Sequence, residues 1–250
     1  LTILVTGATG NVGSAVLANL LDKGCRVRAL TRHPGRAALP GGVEVFEGDL
    51  GRPEMLAAAF ADVEAVHLIN YGTGTGAPLQ HVPQLVAALH AARVRRVTTF
   101  RGVEPGELEA VLAGSGLEWT DFFIPVEFMS NALHWAESIR TENIVRAFGP
   151  ARSAMIHGAD IGAAIAAGLT EDGHAGKSYT LSGPQSLTPQ DKVNVLSSSL
   201  DRPIRLIELS EDEAREKWRA LRTPEPFIDF LVDWHLNTPE SAHRVLPTVE

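Results

Sequence analysis

Short apolar runs alternate along this chain with stretches in which apolar residues recur every three or four positions. Ile3-Leu4-Val5 is a run of the first kind, and Val12, Val16 and Leu20 mark one face of a helix just after it. Carried along the chain, the pattern predicts strands near 2–6, 26–30, 43–47, 65–69, 97–100 and 119–123, and helices near 12–23, 53–61, 79–92 and 106–114. Strands and helices that alternate at such short intervals imply an α/β architecture, a doubly wound Rossmann-type parallel sheet with helices on both faces. Lys23-Gly24 has the form of a helix end, with Gly24 free to take the left-handed cap. Pro53 suits the first turn of a helix, where its missing N–H costs nothing.

Beyond residue 123 the alternation loosens. Ile124-Pro125 breaks register, because proline restricts the residue before it. Helix starts are again clear at Thr188-Pro189-Gln190-Asp191 and at Ser210-Glu211-Asp212-Glu213, the latter a capping box. This predicts a core of 1–123 plus about 142–174, and a smaller lobe of 124–141 plus about 175–250, forming one compact unit. The lobe is expected to lean over the carboxyl ends of the strands, where ligands bind in open α/β sheets.

Candidate chemistry enters with the turn after the first strand, Thr6-Gly7-Ala8-Thr9-Gly10-Asn11-Val12-Gly13. Three glycines at G-x-x-G-x-x-G spacing join a strand to a helix, where backbone N–H groups and the helix dipole can hold a phosphate. Gly7 permits the tight turn, Gly10 leaves no side chain between backbone and pyrophosphate, and Gly13 lets the helix lie close to the strand. Thr9, Asn11 and Val12 complete this candidate cofactor site, which makes 1–123 plus about 142–174 the expected dinucleotide-binding core and 124–141 plus about 175–250 the substrate-side lobe.

The same turn resembles that of the atypical short-chain dehydrogenases/reductases, and within them the NmrA-like family. Val27-Arg28-Ala29-Leu30-Thr31-Arg32, Glu47-Gly48-Asp49-Leu50, Ser115-Gly116-Leu117-Glu118-Trp119-Thr120, Phe128-Met129-Ser130-Asn131, Asp160-Ile161-Gly162 and Tyr179-Thr180-Leu181-Ser182-Gly183-Pro184 look like family blocks in family order. The resemblance runs nearly the whole chain. It implies the fold and an NAD(P) cofactor; members include quinone reductases, aromatic-compound reductases and cofactor-sensing regulators. Family chains usually continue a little beyond the Pro247-Thr248-Val249-Glu250 end, so a further C-terminal stretch is expected.

No acidic residue stands between Asp22 and Glu44, where an NAD-binding chain commonly places one for the ribose 2′-OH. Arg32 follows the second strand and can make a forked contact with a 2′-phosphate, helped by Arg36. The expected cofactor is therefore NADP(H); the bland alternative for Arg32 is a solvated surface arginine. By resemblance Asp49 and Leu50 lie beside the adenine, the alternative being that Asp49 caps the next helix. Asn70 and Tyr71 follow the fourth strand, where this fold passes the nicotinamide ribose. The Gly72-Thr73-Gly74-Thr75-Gly76 that comes next is a gating loop or a plain connection.

The usual Tyr-x-x-x-Lys dyad is absent. Tyr71 and Tyr179 are the only tyrosines, the fourth residues after them are Thr75 and Gly183, and no lysine occurs between Lys23 and Lys177. The fifth strand leads into Arg101-Gly102, where relatives often carry Ser-Ser, and Pro105 stands where many carry a histidine. Three explanations remain: a substrate that needs no strong acid, an unusual donor among Thr99, Arg101 and Tyr71, or cofactor binding without chemistry. Hydride addition to a quinone gives a phenolate-like product, with a pKa of about 10 by analogy with tyrosine, that solvent can protonate. A simple ketone gives a far more basic alkoxide that needs a positioned acid.

Trp119 and Phe122 read as core. By resemblance the segment from Pro125 to Asn131 lines the substrate pocket. Phe123, Phe128 and Met129 offer flat apolar walls, Glu127 a hydroxyl partner or a salt bridge, and His134 a polar lid residue. His157 with Asp160 reads as a structural contact before a helix, and no metal site is expected.

Composition narrows this further. The chain has 250 residues, a formal charge of −8 and one cysteine, Cys25, which argues against a nucleic-acid surface and suits a reducing cytoplasm. It has no run of eighteen apolar residues, so no membrane span is expected. The reading is an NADPH-dependent reductase of a quinone or quinone-like aromatic substrate, acting as a monomer or homodimer. A non-catalytic NADP sensor and a non-redox isomerase or cyclase are the alternatives.

Overall fold

A computed structural model of the chain describes residues 1–70, 78–102 and 104–247. In chain order its first elements are β1 (Thr2–Thr6), α1 (Asn11–Asp22), β2 (Arg26–Thr31), β3 (Glu44–Glu47), α2 (Ala57–Phe60), β4 (Ala65–Ile69), α3 (Val82–Ala91), β5 (Arg96–Arg101), α4 (Glu107–Ala113) and β6 (Glu118–Phe123). They continue with α5 (Ala136–Glu142), β7 (Ile144–Phe148), α6 (Gly158–Thr170), β8 (Ser178–Thr180), α7 (Pro189–Ser199), β9 (Arg205–Leu209), α8 (Glu211–Ala220), α9 (Glu225–Leu236) and α10 (Glu240–His243).

Two compact units result: Leu1–Pro125 with His157–Leu181, and Val126–Ile156 with the chain from Ser182 on. In the first unit seven described strands form one parallel sheet in the order β3-β2-β1-β4-β5-β6-β8. The strand order reverses beside β1, which makes the carboxyl edge between β1 and β4 the crevice of a doubly wound fold.

Alternation along the strands decides which helices cover which face. Leu4, Val66, Leu68 and Val97 pack with Leu85, Leu89 and Leu112 of α3 and α4 in one apolar core. Thr98 and Phe122 point the other way, and α6 lies against them so closely that a Cβ on Gly168 would sit 3.1 Å from Phe122. Helices α1 and α6 also meet at a glycine: a Cβ on Gly162 would lie 2.6 Å from the Ala15 backbone.

In the second unit β7 and β9 pair in parallel from Ile144↔Arg205 to Phe148↔Leu209. Val145 packs with Ile139, Val193 and Ile204, while Phe148 packs with Ala214 and Val232. The capping boxes at Thr188 and Ser210 start α7 and α8 as the sequence predicts.

Three expectations change. Residues 142–156 fall in the second unit, because β7 pairs with β9; residues 175–181 fall in the first, because β8 pairs with β6. The helix expected over 53–61 is split into a 3-10 turn at Pro53–Met55 and the short α2. Helix α3 starts at Val82 rather than 79, since His81 is left-handed at φ 59° and cannot be a helical residue.

Candidate active site

The turn after β1 explains its glycines one at a time. Gly7 has φ +61°, a conformation that strains any L side chain, and a Cβ there would lie 2.7 Å from Ile69 Cγ2. A Cβ on Gly13 would run into the Gly7 carbonyl, 2.6 Å from its carbon, and lie 2.9 Å from Ala8 Cα. Protein contacts thus fix both residues. Gly10 differs. It is exposed, its N–H donates to the Gly7 carbonyl at 2.9 Å, and among the described residues its Cβ would meet only that carbonyl oxygen, at 3.3 Å. What a side chain at Gly10 would fill is the space outside the turn.

Gly10 is also the N-cap of α1, which has no side-chain cap and no acidic residue in its first turn. A twelve-residue helix thus presents its positive end beside exposed Thr9, Gly10 and Asn11, with Val12 and Gly13 buried behind them. These features fit a dinucleotide pyrophosphate.

Arg32 and Arg36 are both exposed, Arg32 directly after β2 and Arg36 in the 3-10 turn Pro34–Arg36. Asp49 folds back on its own turn, accepting the Gly51 N–H on Oδ1 at 2.9 Å. The cap of the following 3-10 turn is Arg52, so the helix-cap reading of Asp49 is not realised. Leu50 beside it is buried. At the end of β4 the Asn70 Oδ1 is buried and has no hydrogen-bond partner among the described residues. A buried amide oxygen left so costs free energy that a ligand hydroxyl or N–H would recover. Tyr71 and the glycine loop after it lie outside the described residues.

The carboxyl halves of β5 and β6 and the start of β8 hold a polar cluster. Arg101 Nε donates to Asp121 Oδ2 at 3.0 Å, and the guanidinium carbon lies 4.4 Å from the centre of the Phe123 ring. Ser178 Oγ donates to the same carboxylate oxygen at 2.7 Å, and Thr99 Oγ1 to Oδ1 at 3.4 Å. Trp119 Nε1 in turn donates to Thr99 Oγ1 at 2.9 Å. Thr99 is completely buried, so its hydroxyl serves this network and is badly placed to give a substrate a proton. Asp121 and Ser178 did not stand out in the sequence, although a carboxylate inside the apolar run Trp119–Phe123 was a signal. Tyr179 is engaged elsewhere, its hydroxyl 2.9 Å from His174 Nδ1 and its ring stacked on Phe122.

The remaining substrate candidates divide between the units. Phe123 and buried Pro125 belong to the first. In the second, Phe128 bridges Ile156 and leads into the 3-10 turn Met129–Trp135, which carries Met129, Asn131 and His134 on exposed positions. Glu127 forms a salt bridge with Lys192 of α7, the plainer of its two expected roles. His157 caps α6, its Nδ1 accepting the Ala159 N–H at 3.1 Å. Behind the site, His67 of β4 is wholly buried, and burial pushes its pKa down to about 4.

Comparison with known proteins agrees with this geometry. A family described as NAD(P)H-binding matches residues 7–172. A (4-alkanoyl-5-oxo-2,5-dihydrofuran-3-yl)methyl phosphate reductase of Streptomyces griseus is 37% identical, over 99% of this chain and 91% of its own. An NAD(P)H azoreductase of Xenophilus azovorans is 30% identical, with the same coverage of 99% and 91%. The crystal structure of an Escherichia coli NADPH-dependent quinone oxidoreductase complexed with NADPH superposes with a TM-score of 0.79 at 25% identity, covering 99% of this chain and 93% of that one. The chain therefore belongs to the NAD(P)H-binding family, with structural neighbours in the NmrA-like group of atypical short-chain dehydrogenases/reductases.

Proposed function

We propose that this protein is an NADPH-dependent reductase of quinones and related small conjugated carbonyl compounds. The observation that carries the reading is the edge of β5 and β6, where a guanidinium lies on a phenyl ring and no tyrosine–lysine dyad exists. Bound NADPH supplies a hydride, which with one proton from water turns a quinone into its hydroquinone and leaves NADP⁺.

The chain's own part is placement and electrostatics. The turn at Gly10 and the start of α1 hold the pyrophosphate, Arg32 with Arg36 meets the 2′-phosphate, and Asn70 orients the ribose nearest the reaction. Arg101 faces the substrate oxygen on which charge develops, and Phe123 offers a flat apolar surface to a flat acceptor. Because the reduced quinone oxygen is only as basic as a phenolate, water suffices as the proton source. The names of the Streptomyces and Xenophilus relatives, an oxo-dihydrofuran reductase and an azoreductase, support an acceptor with a conjugated double bond. A single cysteine suits work in a reducing cytoplasm.

The test is NADPH consumption over a panel of acceptors. Turnover is expected with 1,4-benzoquinone and conjugated enones and not with isolated ketones. Tight NADPH binding with no turnover on any acceptor would replace this reading by a cofactor sensor.

A further inference from the structure

We propose that Asp121 is a positioning residue for the reduction, acting through Arg101; this rests on the role given to Arg101 above. Asp121 is the fourth residue of β6 and only 2% exposed. A buried carboxylate is costly unless it is paired and hydrogen-bonded, and apolar residues in its place would often leave a fold as stable or more so. Its place between buried Thr120 and Phe122 in β6 calls for a use.

The partners define that use. Asp121 lies in register with Thr99 of β5 on one side and Ser178 of β8 on the other. Both hydroxyls donate to it, and the Trp119 indole N–H occupies Thr99 Oγ1 as acceptor, which turns the Thr99 hydrogen toward Asp121. Held from both neighbouring strands, the carboxylate has one orientation, and from it takes the Nε hydrogen of Arg101. The Phe123 ring restrains the same guanidinium from its face. A long flexible side chain is thereby fixed as a planar donor at the carboxyl edge of the sheet. The pairing also offsets the charge of Arg101, so the edge orients a carbonyl oxygen without demanding that the acceptor be an anion.

The experiment compares Arg101→Ala, Asp121→Asn and the double variant with the unaltered protein. It reads kcat and KM for 1,4-benzoquinone, the NADPH dissociation constant, the affinity of the NADP⁺ complex for 4-nitrophenolate, and Tm. Arg101→Ala is expected to lower kcat about a hundredfold, as loss of one oxyanion donor does. Asp121→Asn is expected to lower kcat and 4-nitrophenolate affinity about tenfold, with NADPH affinity unchanged. In the double variant kcat is expected to equal that of Arg101→Ala, because a positioning residue has nothing left to position. Should Asp121→Asn not fold, Asp121→Ser, which fits the same space and leaves a hydroxyl for Thr99 and Ser178, carries the same comparison. Unchanged kcat in the Asp121 variant beside an impaired Arg101→Ala would overturn this proposal alone, as would losses that multiply in the double variant. Unchanged kcat in Arg101→Ala would overturn the role of Arg101 and this proposal with it.

Discussion

Two glycines in one turn are expected to fail in opposite ways when given a side chain. Gly13→Ala places a methyl 2.6 Å from the Gly7 carbonyl carbon and 2.9 Å from Ala8 Cα, against an ordinary contact of 3.4 Å or more. Something must move by most of an ångström. The start of α1 cannot yield outward freely, because Gly162 of α6 already lies against Ala15. Gly7 cannot yield either, since its left-handed backbone is set against Ile69. Overpacking of this kind costs about 3 kcal/mol, which lowers Tm by about 6 °C or more in a chain of this size. Gly10→Val, by contrast, leaves the fold nearly intact. Its cost is that of a poor N-cap residue, about 1 kcal/mol. It instead fills the phosphate space and removes two or so charge-assisted contacts, together about 3 kcal/mol or roughly a hundredfold in NADPH affinity. Thermal unfolding and fluorescence titration with NADPH separate the two signatures. A folded Gly10→Val variant with ordinary NADPH affinity would refute the assignment of the turn, and a Gly13→Ala variant with unchanged Tm would refute the packing argument.

Other consequences follow from single residues. Arg32→Glu should abolish a preference for NADPH over NADH of roughly ten- to a hundredfold, the worth of one charge-assisted contact, and equal affinities in the unaltered protein would contradict the assignment. His67 has a folded pKa of about 4 against an ordinary 6.5. The unfolded chain therefore binds its proton first, and the stability present above pH 6.5 is lost as pH falls toward 4. The loss is about 3 kcal/mol, and unfolding titrations of His67→Leu should show a flatter slope in that window. Lys192→Met should cost about 3 kcal/mol by stranding Glu127, and the double variant with Glu127→Gln should recover part of it; additive losses would show that the pair is not coupled.

Much of this was legible along the chain because parallel strands buried on both faces appear as apolar runs, such as Leu4-Val5 or Ala65-Val66, between punctuating glycines and prolines. The glycine turn was legible because each glycine answers a local demand of backbone geometry. The partner of a strand is not local, and there the reading failed. The sequence assigns residues from about 142 to the core, yet Ile144–Phe148 is a strand whose mate, Arg205–Leu209, lies far along the chain in the second unit. Asp121 was passed over within an aromatic cluster for the same reason: its meaning depends on Thr99 and Ser178 opposite it, and only the register supplies them. Arg101 stood out because it replaces a residue type, but its setting between Asp121 and Phe123 needed three dimensions.

The central claim is that a conjugated acceptor is reduced here without a tyrosine acid. The direct test is the rate of NADPH oxidation by 1,4-benzoquinone in a Tyr71→Phe, Tyr179→Phe double variant, which removes every tyrosine of the chain. Turnover within a few-fold of the unaltered protein is predicted, and its abolition in a folded, NADPH-binding variant would contradict the account.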